Sequence, residues 1–132
     1  MQLETRELKK QDRPTLEKWW KDWGWDGPIN EDFLPETGYI VEKNNQPIVS
    51  IFIYETNSGV GALGWPLSNK DYREDDRGYA IEMLIKSAEE GWKQKGGKFL
   101  FFWGNSTNLN NNLMENGFIE GDTNYSHLIK KI

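Results

Sequence analysis

The chain has 132 residues, no cysteine and a formal net charge of −5 at pH 7. That length fits one domain, residues 1–132, and the missing cysteine excludes disulfides, thiolate zinc sites and a cysteine nucleophile. The acidic balance, with Lys and Arg scattered, argues against nucleic acid, whose binding rests on cationic contacts to phosphate.

The opening "MQLETRELKK" lacks the apolar centre of a signal peptide, and no apolar run reaches membrane-spanning length. A cytoplasmic protein without membrane contact is therefore expected. "QLETREL" reads as a short strand. Asp12 is placed to cap the next helix, with Pro14 in its first turn. Leu16, Trp19, Trp20 and Trp23 fall on one face of that helix. The breaker-rich "GWDGPINEDFLPETG" follows as a loop, with a helical turn at Asn30–Phe33.

"YIVEK" and "PIVSIFIYE" are strands joined at "NNQ", a hairpin signal. The second is apolar at nearly every position, so both faces should be covered. "NSG" turns the chain into a third strand, "VGALGW", and the polar loop "PLSNKDYREDD" leads to a long helix. Ala80, Ile81, Leu84, Ile85, Ala88 and Trp92 mark its apolar face, and the glycines after Lys95 suit its end. "KFLFFW" is expected as a buried strand, "STNLNNNLMENG" as a helix with Gly117 as left-handed cap, and "FIEGDTNYSHLIKKI" as one or two closing strands.

Two apparent motifs fail on context. Gly59, Gly61 and Gly64 spell a dinucleotide fingerprint but lie within a strand instead of opening a helix. Glycines there mark a bulge or a close approach by another group. His127 has no histidine or cysteine companion, so no metal site is expected.

Gly78 is the informative position. A glycine in the first turn of a helix either relieves crowding against the sheet or lets a ligand reach the backbone N–H groups. The element order, the helix start "DRGYA" and the later Gly117-Phe118 resemble the GNAT acetyltransferases. Their helix-start signature is Gln or Arg, glycine three residues on, and glycine or alanine two further. Asp75, Gly78 and Ala80 occupy these places.

The resemblance implies a mixed α/β fold, a mostly antiparallel splayed sheet flanked by helices. It implies acetyl-CoA as co-substrate, its pyrophosphate on the backbone of Asp76, Arg77, Gly78, Tyr79 and Ala80, and its pantetheine arm between "VGALGW" and "KFLFFW". It implies a small-molecule or peptide amine as acceptor, entering beside Trp23, Trp25, Asp26, Glu31, Asp32 and Phe33. A tryptophan-rich core with a solvated acidic loop is the competing reading of that region.

Three departures bear on chemistry. Asp75 replaces a side-chain donor to phosphate, the "VGALGW" strand has no carboxylate to act as base, and Leu113 stands where relatives place a tyrosine acid. Tyr125 is the expected substitute acid, since a phenol donates a proton throughout the neutral range. The alternative to an N-acetyltransferase is an inactive acyl-CoA-binding or protein-interaction module on the same fold.

Overall fold

The computed structural model describes every residue except Met1, Ile29, Asn30, Asn105, Asn124 and Tyr125. Five strands lie side by side in chain order: β1 (Leu3–Glu7), β2 (Gly38–Lys43), β3 (Gln46–Glu55), β4 (Val60–Ser68) and β5 (Phe99–Phe101). The first four pair antiparallel, whereas β5 runs parallel to β4. The helices are α1 (Arg13–Asp22), α2 (Arg77–Gln94) and α3 (Thr107–Glu115), with 3₁₀ turns at Lys10–Asp12 and Glu31–Phe33. Of the expected turn at Asn30–Phe33, Asn30 lies outside the described residues.

The β2–β3 hairpin closes on Asn44 and Asn45, whose φ values are +53° and +64°. Two consecutive left-handed residues are what a two-residue hairpin turn with the strands' own twist requires, and asparagine tolerates them. The strand β3 is buried from Ile48 to Ile53, as its unbroken apolar run predicts, because a helix covers each face of the sheet. On one face Leu16, Trp19 and Trp20 of α1 pack over Ile40, Phe52 and Leu67. On the other, Ala80, Leu84, Ala88 and Trp92 of α2 pack over Val41, Val49, Ile51, Ile53 and Leu63. Each fully buried aliphatic side chain contributes about 1.5–3 kcal/mol.

Asp12 precedes α1 as expected, yet its carboxylate caps nothing in that helix. It accepts from both terminal nitrogens of Arg6 (2.8 and 2.7 Å) and from the Lys9 N–H (2.8 Å), and Arg6 also reaches Glu42. A strand arginine, absent from any local capping rule, has captured the carboxylate. This ties α1 to β1 and β2.

The end of α3 follows the expectation. Gly117 has φ +94°, its N–H donates to Met114 O, and the Phe118 N–H donates to Leu113 O. That pair of bonds satisfies the last carbonyls of the helix.

Two expectations change. Among the described residues 118–132 no strand forms, and Ile119, Leu128 and Ile132 are almost fully exposed. The expected closing strands therefore do not extend the sheet. In consequence "KFLFFW" is not a buried strand: Leu100 packs against the α2 side, whereas Phe99, Phe101 and Trp103 stand exposed on the other. The residues that α1 buries come from β2, β3 and β4, and none from β5.

Candidate functional site

The site is built where β4 and β5 part. They pair only through Val60–Ala62 with Phe99–Phe101, so the β4 segment Leu63–Ser68 has no partner on that side among the described residues. Because β5 re-enters parallel to β4, α2 must run back along them. Its first turn therefore stands at the end of the sheet where β4 finishes, beside Lys43 at the end of β2. Ligands of α/β sheets gather at that end.

At the tip of α2, the Arg77 N–H donates to Glu74 O and the Ala80 N–H to Asp76 O. Among the described residues the N–H groups of Gly78 and Tyr79 have no partner, and they carry the positive end of the helix dipole. A Cβ built on Gly78 would meet nothing within 4 Å. Crowding against the sheet is thus excluded as the reason for glycine here, and the space in front of the backbone is open. A cavity of about 340 Å³ lies before it, lined by Asp75, Gly78, Tyr79, Glu82, Asn112, Glu115 and Asn116. Of the other expected cofactor residues, Arg77 and Tyr79 are exposed, Asp76 is half-buried and Ala80 is fully buried.

Asp76 occupies the N-cap position, where a carboxylate ordinarily bonds the helix N–H groups. Here it makes no such bond. Lys43, at the carboxyl end of β2, holds one oxygen at 2.8 Å, and the buried Tyr72 hydroxyl donates to the other at 2.5 Å. These partners, Lys43 foremost, hold the Asp76 carboxyl below its ordinary range. Burial, followed by the bond to Asp76, pushes the Tyr72 phenol up to about 12. No local sequence signal links Lys43 with Asp76, so the sequence reading missed this cluster.

The bulge of β4 also lies on the partnerless stretch. Ser50 pairs with Leu67 and Phe52 with Gly64, so Ile51 faces both Trp65 and Pro66. Trp65 takes φ +54°, a strained conformation for a bulky residue. Its Nε1 donates to the Tyr54 hydroxyl at 2.7 Å, and that hydroxyl donates to Phe33 O at 2.5 Å. A proline inside a strand was the available signal. The glycines serve packing instead: Gly64 admits the Tyr54 ring and Gly61 admits Ile53 and Trp92.

Among the expected acceptor residues, Trp23, Trp25 and Phe33 have described contacts. Trp23 and Trp25 stack at 5.7 Å, and Trp23 Nε1 donates to Ser68 O at the end of β4. Lys70 Nζ lies 5.2 Å from the Trp23 ring centroid. With Trp25 and Lys70 on its ring, Trp23 is engaged inside the chain, whereas Trp25 is half exposed. The Phe33 carbonyl accepts from the Tyr54 hydroxyl, and Tyr54 pairs with Ala62. Leu113, in the place of the family's tyrosine, is buried in the core side of α3. Tyr125 lies outside the described residues. Among the described residues no helix is long and apolar enough to cross a membrane.

No protein-family model matches the sequence, and no curated protein matches it. Solved structures do match. A GNAT family acetyltransferase from Staphylococcus aureus aligns at TM-score 0.63 and 18% identity over 98% of this chain and 100% of that one. An aminoglycoside acetyltransferase from an uncultured soil metagenomic sample, solved with trehalose, aligns at 0.65 and 11% over 98% and 96%. The N-acetylglutamate synthase of Neisseria gonorrhoeae, solved with coenzyme A and N-acetyl-glutamate, aligns at 0.71 and 16% over 92% of this chain and 29% of that one. The chain has the fold of the GNAT acetyltransferases.

Proposed function

We propose that this chain, built on the GNAT fold, is an acyl-CoA-dependent N-acetyltransferase that acts on a small-molecule or peptide amine. One observation carries the reading: the tip of α2 has no side-chain cap and opens onto free space at Gly78, at the end of the sheet where β4 finishes. The Gly78 and Tyr79 N–H groups would hold the pyrophosphate, and the β5-facing backbone of Leu63–Leu67, which has no strand partner there among the described residues, would bond the pantetheine amides. When bound, acetyl-CoA supplies the acetyl group as an activated thioester. A β4 N–H aimed at the thioester oxygen would stabilise the charge that develops there.

The proton route rests on chemistry alone. Leu113 is aliphatic and buried, so it gives no proton. We retain Tyr125 as the general acid, with Tyr125→Phe expected to lower kcat about tenfold or more. The buried Leu113 and the β4 strand without a carboxylate favour a second reading, a CoA-binding module without turnover.

The deciding experiment is a melting curve with millimolar CoA, since a ligand of the native state raises Tm. Gly78→Val should abolish the rise while leaving the ligand-free Tm nearly unchanged, because the added side chain meets open space. An unmoved wild-type curve removes the cofactor reading. A shift without turnover across a broad amine panel selects the module.

A further inference from the structure

We propose that Trp92 is a positioning residue for the acyl-CoA arm: its indole N–H clips β4 to β5 at the closed end of their wedge and so sets how they part. This rests on the cofactor reading above. The indole comes from the last turns of α2, and its Nε1 donates to Gly59 O at 3.3 Å and to Phe99 O at 3.1 Å. The first carbonyl immediately precedes β4 and the second opens β5. One donor thus spans the two strands where their pairing begins, and they part after Ala62 and Phe101.

The surroundings are cut to this indole. A Cβ on Gly97 would stand 2.1 Å from the Trp92 ring, and one on Gly61 would stand 3.0 Å from its Nε1. The Trp92 carbonyl also accepts from the Lys95 and Gly97 N–H groups, which fixes the turn that delivers β5. Gly59 O further receives the Lys98 and Phe99 N–H groups at 2.8 and 2.9 Å. β5 is also held by its three residue pairs with β4 and by Leu100 and Phe102, which pack on the α2 side, while its outer edge has no strand partner among the described residues. The Trp92 donor fixes the end at which that pairing starts. A shift of about 1 Å in such a wall is enough to cost a bound arm a large factor.

The test compares two probes. Adenosine 3′,5′-bisphosphate can reach only the tip of α2, whereas CoA also fills the wedge. Trp92→Phe keeps most of the ring and removes the donor; Gly61→Ala keeps the donor and presses a methyl against it. In both variants CoA should bind about tenfold more weakly, with bisphosphate affinity within about twofold of wild type. Unchanged CoA affinity, or an equal loss for both probes, overturns the proposal, since a general loss of structure moves both.

If wild type binds neither probe, the cofactor reading fails by itself, and amide exchange then judges the clip. Faster exchange at Leu100 and Phe101 in Trp92→Phe, with the β2–β3 amides unchanged, upholds it. Equal rates overturn it.

Discussion

Lys43 Nζ stands 2.8 Å from Asp76 Oδ2, so a strand lysine holds the carboxylate that would otherwise cap α2. Tyr72 holds the other oxygen. The cluster makes stability depend on pH at both ends. The folded Asp76 pKa is lowered, first by Lys43 and then by Tyr72. Its contribution is therefore complete above the unfolded carboxyl value of about 4 and is lost as pH falls through the folded value. Tyr72 is raised, so its contribution is complete below the unfolded value of about 10. It disappears as pH rises to about 12. Tm measured against pH should fall on both limbs, and Asp76→Asn should flatten the acid one.

The same contact makes a prediction about ligand affinity. Held by Tyr72 alone after Lys43→Met, the Asp76 carboxylate is expected to turn its other oxygen onto the Gly78 and Tyr79 N–H groups and compete there with an anion. CoA affinity should fall about tenfold, the scale of a charge-assisted bond. Lys43→Met with Asp76→Ala should recover most of it. Calorimetric titration of the single and double variants checks this, and a double variant no better than the single one rejects it.

Asp75, Glu82 and Glu115 line the cavity at the helix tip, an acidic setting for a polyanion. Asp75→Asn should tighten CoA binding about three- to fivefold, since an exposed like-charge contact costs about 1 kcal/mol. The gain should shrink in high salt, because ions screen the repulsion in the wild type. Titrations at two ionic strengths measure both effects.

Ser50 is fully buried on the α1 side of β3, and its hydroxyl has no hydrogen-bond partner among the described residues. Removing it should not destabilise the fold. Ser50→Ala is expected to change stability by between zero and about +1 kcal/mol, read by urea unfolding.

Trp25 is half exposed and stacked on Trp23. Trp25→Ala should cost about 1 kcal/mol of stability, the value of an aromatic pair. Any larger rise in acceptor KM would assign it to the amine. An unchanged KM leaves it as packing.

The sheet and helices were legible because their signals are local and periodic. The run from Pro47 to Glu55, the Asn44–Asn45 turn and the Gly117 cap each express a short-range rule. The closing strands misled because "FIEGDTNYSHLIKKI" has strand composition, yet Ile119 and Leu128 find nothing to pack on. Gly78 was readable as an open helix start because one missing side chain carries the message. The capture of Asp76 by Lys43 and of Asp12 by Arg6 was not, since each joins residues from separate elements. A pattern of spacing holds no record of such meetings. Trp92 read correctly as a core residue, but its indole donor, shared between two strands, appears only once the sheet is closed.

Strand order equal to chain order also bears on how the molecule assembles. The strands β2, β3 and β4 form a meander whose turns span residues 44–45 and 56–59, so their pairings close short loops and form fast. The edges arrive otherwise: β1 meets β2 across residues 8–37, and β5 meets β4 across residues 69–98. Pulse-labelled refolding should protect the amides of Ile51 and Ile53 before those of Leu100. The β1 edge and the β4–β5 wedge are then the last regions of the sheet to gain protection, the wedge only once α2 has docked.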